Sequence, residues 1–227
     1  MKILALETSA KAVSAAVTED GRVLCVGYQD TGLTHSRTLM PMVEHLLCNA
    51  ALTLRDMDAI AVAVGPGSFT GIRIGVAAAK GLAVGAEKPL AGVSTLAAMA
   101  RNVACVPGLA VCAMDARRSQ VYNALFLCGE GTPVRLTEDR ALSLEDLAAE
   151  LAEDARPKTV VGDGARLCAD FLRERGIACQ LAPPHLVMQN AVSVALEAEA
   201  MGGELSRDIR PFYLRPPSAI PLRQRQR

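Results

Sequence analysis

A glycine-rich loop, Gly65–Gly71, constrains the fold of this chain more than any other sequence feature. It follows an apolar run, residues 57–64, whose lack of alternation predicts a strand buried on both faces at the centre of a sheet. The loop leads into a predicted helix, residues 70–84, with Gly85 as its stop. A buried strand, a tight loop and a helix in this order direct free backbone N–H groups toward one point, where an anion can bind.

Two interpretations of this loop follow from its residues. Gly65, Gly67, Ser68 and Thr70 are candidates for holding a phosphate group at the helix N-terminus. The loop lacks the lysine-serine ending of a Walker sequence and the spacing of a dinucleotide fingerprint. Its glycines can therefore serve a sharp turn and close packing instead.

The rest of the chain alternates strands and helices in two rounds. Three short apolar strands are predicted before residue 30, followed by a helix that begins near Thr34 or Ser36. Pro41 indicates a start close before it, because proline fits the first turn of a helix. The second half repeats the alternation more weakly. This layout predicts an α/β fold of two ribonuclease-H-like domains of the actin-like ATPase superfamily, with mixed sheets flanked by helices.

The same pattern suggests where the domains divide. Residues 1–104 form an N-terminal actin-like domain, residues 105–210 a smaller C-terminal one, and residues 211–227 a tail of the kind that usually frays. The last predicted helix, from about residue 190 to 201, can pack back on the first domain. Because no long linker separates the two halves, we expect them to pack on each other.

Polar residues at strand ends supply further candidates for a site. Glu7, Thr8 and Ser9 follow the first strand in a tight turn that either faces a phosphate or is simply a polar hairpin. Asp115 follows a strand of the second half and is the best candidate for a catalytic carboxylate in an interdomain cleft. A structural ion pair between Asp115 and Arg117 is the favoured interpretation, because Glu7 stands where sugar kinases of this superfamily carry an aspartate.

Composition limits the classes of function. The 24 basic and 24 acidic residues give a formal net charge of zero, so the chain lacks the broad positive field of a protein that holds RNA alone. Its seven cysteines form no CxxC pair, which favours buried thiols in a reducing cytoplasm over a zinc or disulfide framework. We also expect no signal peptide and no membrane-spanning segment, since charges or glycines interrupt each apolar run.

Four segments together make the chain resemble the TsaB family, also called YeaZ. They are Glu7-Thr8-Ser9, the loop with its extension to Ile72-Arg73, Asp115-Ala116-Arg117, and the late Tyr213-Leu214-Arg215. The resemblance implies a non-catalytic subunit that pairs with its paralogue TsaD and works with the ATPase TsaE. Together they transfer threonylcarbamoyl, made by TsaC, to the tRNA adenosine next to the anticodon. tRNA is then reached only through the complex, and ATP and metal are used by the partner subunits.

The resemblance also indicates why this chain is not expected to be an enzyme. TsaD-type proteins carry metal-binding histidines in a segment that corresponds to residues 92–99 here. Thr95 and Met99 stand at those positions, and neither side chain suits zinc or iron. The chain has only three histidines in all. We therefore predict no catalytic residue, no metal and no cofactor of its own, with weak ATP or ADP binding left open.

A partner interface is predicted on the two N-terminal helices. The first carries a leucine and methionine stripe, and the second is rich in glycine and alanine, which lets helix axes approach closely. Each glycine costs about 0.8–1 kcal/mol against alanine inside a helix, so a close neighbour is expected there. The same surface could form a homodimer when the partner is absent. The predicted contact residues are Met40, Val43, Leu47, Gly71, Ile74, Gly75 and Ala78.

The alternative function is an independent small-molecule kinase or ATPase that uses the interdomain cleft. It requires turnover of ATP by this chain alone, with Asp115 as the essential carboxylate. A metallopeptidase is disfavoured by the missing metal ligands.

Overall fold

A computed structural model describes residues 1–202 and 205–215 of the chain. The first half forms a five-stranded sheet in the order β3-β2-β1-β4-β5. β2 runs antiparallel to both β1 and β3, whereas β1, β4 and β5 are parallel. Its elements are β1 (Lys2–Glu7), β2 (Val13–Glu19), β3 (Arg22–Gln29), α1 (His35–Asn49), β4 (Ala59–Gly65), α2 (Phe69–Ala86), β5 (Leu90–Ser94) and α3 (Thr95–Arg101).

The second half repeats this topology. Its sheet has the order β11-β10-β6-β7-β8, with β9 also paired to β7. An antiparallel hairpin thus lies on one side of the first strand and parallel strands lie on the other, as in the first half. The fold is therefore a pair of ribonuclease-H-like domains, as the alternation predicted. Its elements are β6 (Gly108–Asp115), β7 (Gln120–Cys128), β8 (Val134–Arg135), β9 (Arg140–Ser143), α4 (Leu144–Ala152), β10 (Lys158–Val161), α5 (Ala165–Glu174), β11 (Gln180–Leu181) and α6 (Ala191–Ala200).

Both faces of the first sheet are covered by helices. α1 and α2 pack on one face, where Leu39, Ile72 and Val76 join a core with residues of β1 and β4. α3 and α6 pack on the other face, where Val194 and Ala198 are buried. α6 follows the second sheet in sequence but contacts β1 and β2. One face of the first sheet is therefore covered in part by a helix that follows the whole second sheet in sequence.

The predicted start of α1 near Thr34 or Ser36 is confirmed, since Thr34 is its N-cap residue. Two other expectations, Pro41 in the first turn and a stop at Gly85, are wrong. α1 begins at His35, so Pro41 lies in its second turn rather than its first. Pro41 is exposed, and water can reach the backbone carbonyl that the proline leaves without a partner. α2 continues through Gly85 to Ala86 and ends at Glu87, which adopts the left-handed conformation at φ 56°. The backbone N–H of Glu87 closes the helix in place of the expected glycine stop.

The expected fraying from residue 211 is wrong for the described part of the tail. Ser206 pairs with Leu90 of β5, and Ile209 is 7% exposed. The backbone N–H of Phe212 then donates to the carbonyl oxygen of Val64 at 2.7 Å. Residues 211–215 are therefore held against the first domain. Residues 216–227 lie outside the described residues.

By length and composition alone, α2 is able to cross a membrane, which corrects the expectation that no segment qualifies. The helix packs on β4 and buries Ile72, Val76 and Ala79 there. Packing on β4 therefore accounts for the apolar residues on one side of the helix only, because Val84 on another side is 80% exposed.

Candidate functional site

The carboxyl ends of strands from both sheets face a cleft of about 410 Å³ between the two halves. β1 and β4 bring the Glu7–Ser9 turn and the Gly65–Gly71 loop to one wall, and β6 brings Asp115 to the other. Ligands of open α/β sheets bind at such carboxyl ends. The lining residues include Ser9, Lys11, Gly67, Ser68, Phe69, Asp115, Arg117, Tyr122, Asp163, Phe212, Tyr213 and Arg215.

The Glu7–Ser9 turn is buried and bonded within the protein. The exposed fraction of each of its three residues is 1% or less. The backbone N–H of Ser9 donates to Glu7 Oε1 at 2.5 Å, and Thr8 Oγ1 donates to the carbonyl oxygen of Gly71 at 2.8 Å. The backbone N–H of Ser68 donates to the carbonyl oxygen of Ser9 at 2.6 Å. The N–H groups of Ser9 and Ser68 are therefore already used and do not face a phosphate.

Two carboxyl groups at the cleft hold protons more strongly than usual: Asp163 lines the cleft, and Glu7 is buried behind Ser9, which also lines it. Burial raises the pKa of Glu7 to about 7, and the negative charge of Asp163 adds to this while hydrogen bonds from Ser9 oppose it. Burial also raises the pKa of Asp163, although Gln189 Nε2 donates to its Oδ1 at 3.0 Å. Glu7 is therefore partly neutral near pH 7, and the buried carboxyl of Asp163 binds a proton more readily than an exposed aspartate does.

Asp115 is positioned by the turn that follows β6. Its Oδ1 accepts from the backbone N–H of Arg117 at 2.8 Å, and its Oδ2 lies 3.4 Å from Arg117 Nη1. The ion pair that we weighed against a catalytic role is thus present. Asp163 lies close enough to feel the charge of Asp115, which raises its pKa further.

Close packing explains the glycines of the loop. Gly65 and Gly67 have φ values of 130° and 155°, which side-chain-bearing residues rarely adopt. A Cβ at Gly65 would lie 2.2 Å from the carbonyl oxygen of Phe212, and one at Gly67 2.5 Å from that of Ser9. Ser68 caps α2, since its Oγ accepts from the backbone N–H of Gly71 at 3.2 Å. Of the candidate phosphate residues, Ser9, Gly67, Ser68 and Asp115 line the cleft, whereas Glu7, Thr8, Gly65 and Thr70 do not.

The segment Phe212–Arg215, which we call the strap, crosses the mouth of the cleft. The rings of Tyr213 and Phe69 lie 4.6 Å apart, and the guanidinium of Arg73 lies 3.8 Å above the ring of Phe69. Arg73 Nε also donates to Tyr213 Oη at 3.0 Å. On the other side of the cleft, Arg215 Nη1 donates to the carbonyl oxygen of Ala116 at 3.0 Å. The strap therefore ties α2 to the second domain.

Sequence reasoning missed the strap as part of the site, although one signal was available. The chain has only seven aromatic residues, four Phe and three Tyr. Four of the seven, Phe69, Tyr122, Phe212 and Tyr213, line this cleft.

The predicted partner interface is only partly available. Met40 is 36% exposed, and Ile74 and Ala78 are half-buried on the outer side of α2. Val43 and Leu47, however, are 1% and 9% exposed and belong to the core of the first domain. The prediction that these two contact a partner is therefore wrong.

Gly71 and Gly75 are also wrong as interface residues. A Cβ at Gly71 would lie 2.0 Å from the carbonyl oxygen of Thr8, and one at Gly75 2.3 Å from Thr8 Oγ1. The backbone that comes close to this helix is thus the β1–β2 turn of the same chain. Gly81, by contrast, has no atom within 4 Å of an added Cβ and faces outward.

The positions that correspond to the paralogue's histidines are buried. Thr95 and Met99 are 0% and 1% exposed, and Met99 packs in the core of the second domain. Within residues 1–202 and 205–215, no group of three or more His, Cys, Asp and Glu side chains could hold a metal ion.

Comparisons with known proteins agree in sequence and in fold. A family model described as "TsaD: tRNA N6-adenosine threonylcarbamoyltransferase" matches residues 29–190. The tRNA threonylcarbamoyladenosine biosynthesis protein TsaB of Escherichia coli is 36% identical over 180 residues, which cover 78% of each chain. The structure of YeaZ from Pseudomonas aeruginosa matches with a TM-score of 0.79 and 28% identity, over 94% of this chain and 99% of that one. Component A of the Acidaminococcus fermentans (R)-2-hydroxyglutaryl-CoA dehydratase, at 12% identity and a TM-score of 0.52, covers 89% of this chain and 99% of its own and shares the fold alone.

Proposed function

The chain belongs to the TsaB family, and from this premise we propose that it serves tRNA threonylcarbamoyladenosine biosynthesis as a non-catalytic subunit. In this proposal it pairs with a TsaD-type paralogue, which carries the chemistry, and a TsaE-type ATPase joins the pair. The tRNA is bound by the assembled complex rather than by this chain alone. The match to a TsaD family model over residues 29–190 is consistent with a paralogous partner.

The outer face of α2 is the observation that carries the pairing proposal. Ile74, Ala78, Gly81 and Val84 follow one another at helical spacing on this face, and Val84 is 80% exposed. Small residues at such positions let a second helix approach closely. Met40 adds an exposed apolar side chain on α1, which contacts α2. A contiguous apolar face of this kind is typical of a protein–protein interface, and a second copy of this chain could cover it when the partner is absent.

A non-catalytic role is supported by the residues that replace a metal site. Thr95 and Met99 are buried residues of α3, and Met99 packs in an apolar cluster. Neither side chain carries the imidazole, thiolate or carboxylate group that binds zinc or iron in proteins.

The pairing proposal is tested by placing a charge on the outer face of α2. We expect Ala78→Arg to lower the affinity for a TsaD-type partner from the same source at least about 100-fold, because a buried unpaired charge costs several kcal/mol. Val84→Arg is a second variant, since a position 80% exposed tolerates arginine in the free chain. Leu167→Arg is the matched control, at an apolar helix position of the second half that is 45% exposed. Association is measured by light scattering on a sizing column.

Two results would count against the proposal. Pairing at native affinity by both folded arginine variants would remove the interface from this face of α2. The absence of any association between the wild-type chain and a well-folded TsaD-type protein would remove the subunit role itself.

An independent kinase or ATPase is the second candidate, favoured by the position of Asp115 in the cleft. It predicts saturable ATP turnover by the isolated chain that disappears in Asp115→Ala. The occupied N–H groups of Ser9 and Ser68 count against it, as does the strap across the mouth of the cleft. We therefore propose at most weak nucleotide binding and no turnover.

A further inference from the structure

Positive charge is concentrated at the mouth of the interdomain cleft, although the chain as a whole has no formal net charge. Lys11 lines the cleft from the first domain and Arg117 from the second. Arg118 follows Arg117, and all three side chains are exposed. Within the described parts of the chain, Lys11 and Arg118 form no salt bridge. We call Lys11, Arg117 and Arg118 the basic rim.

The turn that carries two of these arginines is strained. Arg117, Arg118 and Ser119 have φ values of 66°, 55° and 54°, three successive left-handed residues without a glycine. Such conformations cost about 1–3 kcal/mol each and cluster at functional sites. Arg117 is 83% exposed, and its pair with Asp115 at 3.4 Å is worth less than about 1 kcal/mol. The side-chain contacts that these arginines make within the chain are therefore too weak to offset the strain of their backbone conformation.

Aromatic rings lie beside the basic rim. Phe69 and Tyr213 stack with their ring centroids 4.6 Å apart, and Phe212 is 44% exposed next to them. Phe69 and Tyr213 are half-buried against each other and Arg73, so Phe212 is the ring of this group that is exposed. An exposed ring beside cations is a feature of surfaces that bind looped nucleic acid, where such rings stack on bases.

The acids near the rim do little to repel an anion. Asp115 is paired with Arg117, Asp163 is half-buried in the cleft, and Glu7 is buried behind Ser9. Burial raises the pKa of both Glu7 and Asp163, that of Glu7 to about 7. The exposed charge at the mouth is therefore mainly positive.

We propose that the basic rim contacts the phosphate backbone of tRNA while the tRNA is bound by the complex of this chain with its TsaD-type partner. The inference deepens the proposed function and rests on it for the identity of the RNA. Exposed lysine and arginine side chains contact phosphates without reading sequence, so the rim positions the tRNA rather than selects it. Three local cations on a neutral chain bind RNA only weakly alone, which makes the contact a contribution to the complex.

The test compares two triple variants that remove the same charge. Lys11→Ala, Arg117→Ala and Arg118→Ala together remove the rim. Arg22→Ala, Arg55→Ala and Lys88→Ala form the control. They lie at the end of the first sheet opposite the cleft, Arg22 at the start of β3 and the other two in the segments before β4 and β5.

Fluorescence anisotropy of labelled tRNA is measured with the assembled pair between about 50 and 200 mM NaCl. The slope of log affinity against log salt should shrink by about 2 to 3 for the rim variant, or about 1 per phosphate contact, and stay unchanged for the control.

Light scattering on the same samples separates RNA contact from pairing. An unchanged slope in a rim variant that pairs normally overturns the proposal. If the wild-type chain does not pair, the proposed function fails. The rim is then judged on the isolated chain with the same tRNA at low salt, where a reduced slope supports it and an unchanged slope overturns it. If only the rim variant loses pairing, the salt slope is again measured on the isolated chain. A reduced slope there supports the proposal, and an unchanged slope overturns it and assigns the rim to a protein interface.

Discussion

At the scale of single residues, Glu7 shows how the fold changes the chemistry of a side chain. Sequence alone presents Glu7 as a polar turn residue beside Thr8 and Ser9. In the folded chain it is 1% exposed, and burial raises its pKa from 4.5 to about 7. A buried carboxyl of this kind is held partly in its neutral form at physiological pH and makes the stability of the protein depend on pH.

The Glu7→Gln variant tests this dependence. Between about pH 4.5 and 7 the folded chain binds more protons at Glu7 than the unfolded chain, so its contribution to the free energy of unfolding falls as pH rises. Glutamine cannot titrate, so this loss is absent from Glu7→Gln. From pH 4.5 to pH 8, the free energy of unfolding of the variant should therefore rise by about 2–4 kcal/mol relative to that of wild type, the energy that corresponds to a pKa difference of about 2.5. Glutamine keeps the oxygen that accepts from the backbone N–H of Ser9. Urea unfolding at both pH values measures the effect.

The control for this experiment is Glu174→Gln, at an exposed position on α5. It should leave the difference in stability between the two pH values unchanged. If the free energy of unfolding changed by the same amount between the two pH values in wild type and in Glu7→Gln, the raised pKa of Glu7 would be contradicted.

At the scale of elements, α2 divides its small residues between two uses. Gly71 and Gly75 face the β1–β2 turn, whose Thr8 lies against them. Gly81, Ala78 and Val84 lie on the outer side, where the proposed partner would dock. One helix thus packs on its own domain and presents an apolar face to solvent.

Replacing glycine by alanine at the two kinds of position should have opposite effects. At Gly71 the new methyl group would lie 2.0 Å from a backbone oxygen, so we expect a loss of about 1–3 kcal/mol or more in the free energy of unfolding. At Gly81 it would meet no atom within 4 Å, so we expect a gain of about 0.5–1 kcal/mol from helix propensity. Chemical denaturation of both variants measures the effects. Equal stability of the two would show that the helix does not lie on Thr8 as described.

At the scale of the whole molecule, the two halves depend on each other for closure. α6 follows the second sheet in sequence yet covers β1 and β2 of the first, with Val194 and Ala195 buried. The strap makes a second connection, from Val64 to the turn after β6. The first 104 residues therefore form a topological unit in which α3 alone covers one face of the sheet, and the part of that face under α6 is left open.

A fragment of residues 1–104 should consequently fail to fold on its own. Without α6, the apolar face that contains Ile3 and Val93 would be exposed to water, which favours aggregation. We expect poor dispersion in its ¹H–¹⁵N spectrum and no cooperative unfolding, in contrast to the full chain. A dispersed spectrum and a cooperative transition for the fragment would show that α6 is dispensable for the first domain.

Features encoded by local pattern could be predicted from the sequence. The strands, the helices and the two rounds of α/β alternation follow from apolar periodicity and turn residues, which depend only on neighbours in the chain. The position of Asp115 at a strand end in the cleft follows from the same alternation. The strap and the contacts of Gly71 could not be predicted in this way. They depend on residues that are 140 and 63 positions apart, namely Arg73 with Tyr213 and Thr8 with Gly71.

By itself, the sequence determined the fold class, the resemblance to a family and the lack of histidines at positions 95 and 99, because these depend on which residues are present and in what order. Only the tertiary structure decided which face of α2 remains open, which carboxyl groups hold protons and which segment crosses the cleft. Burial and close approach between distant segments set these properties, and neither is encoded in the spacing of residues along one element.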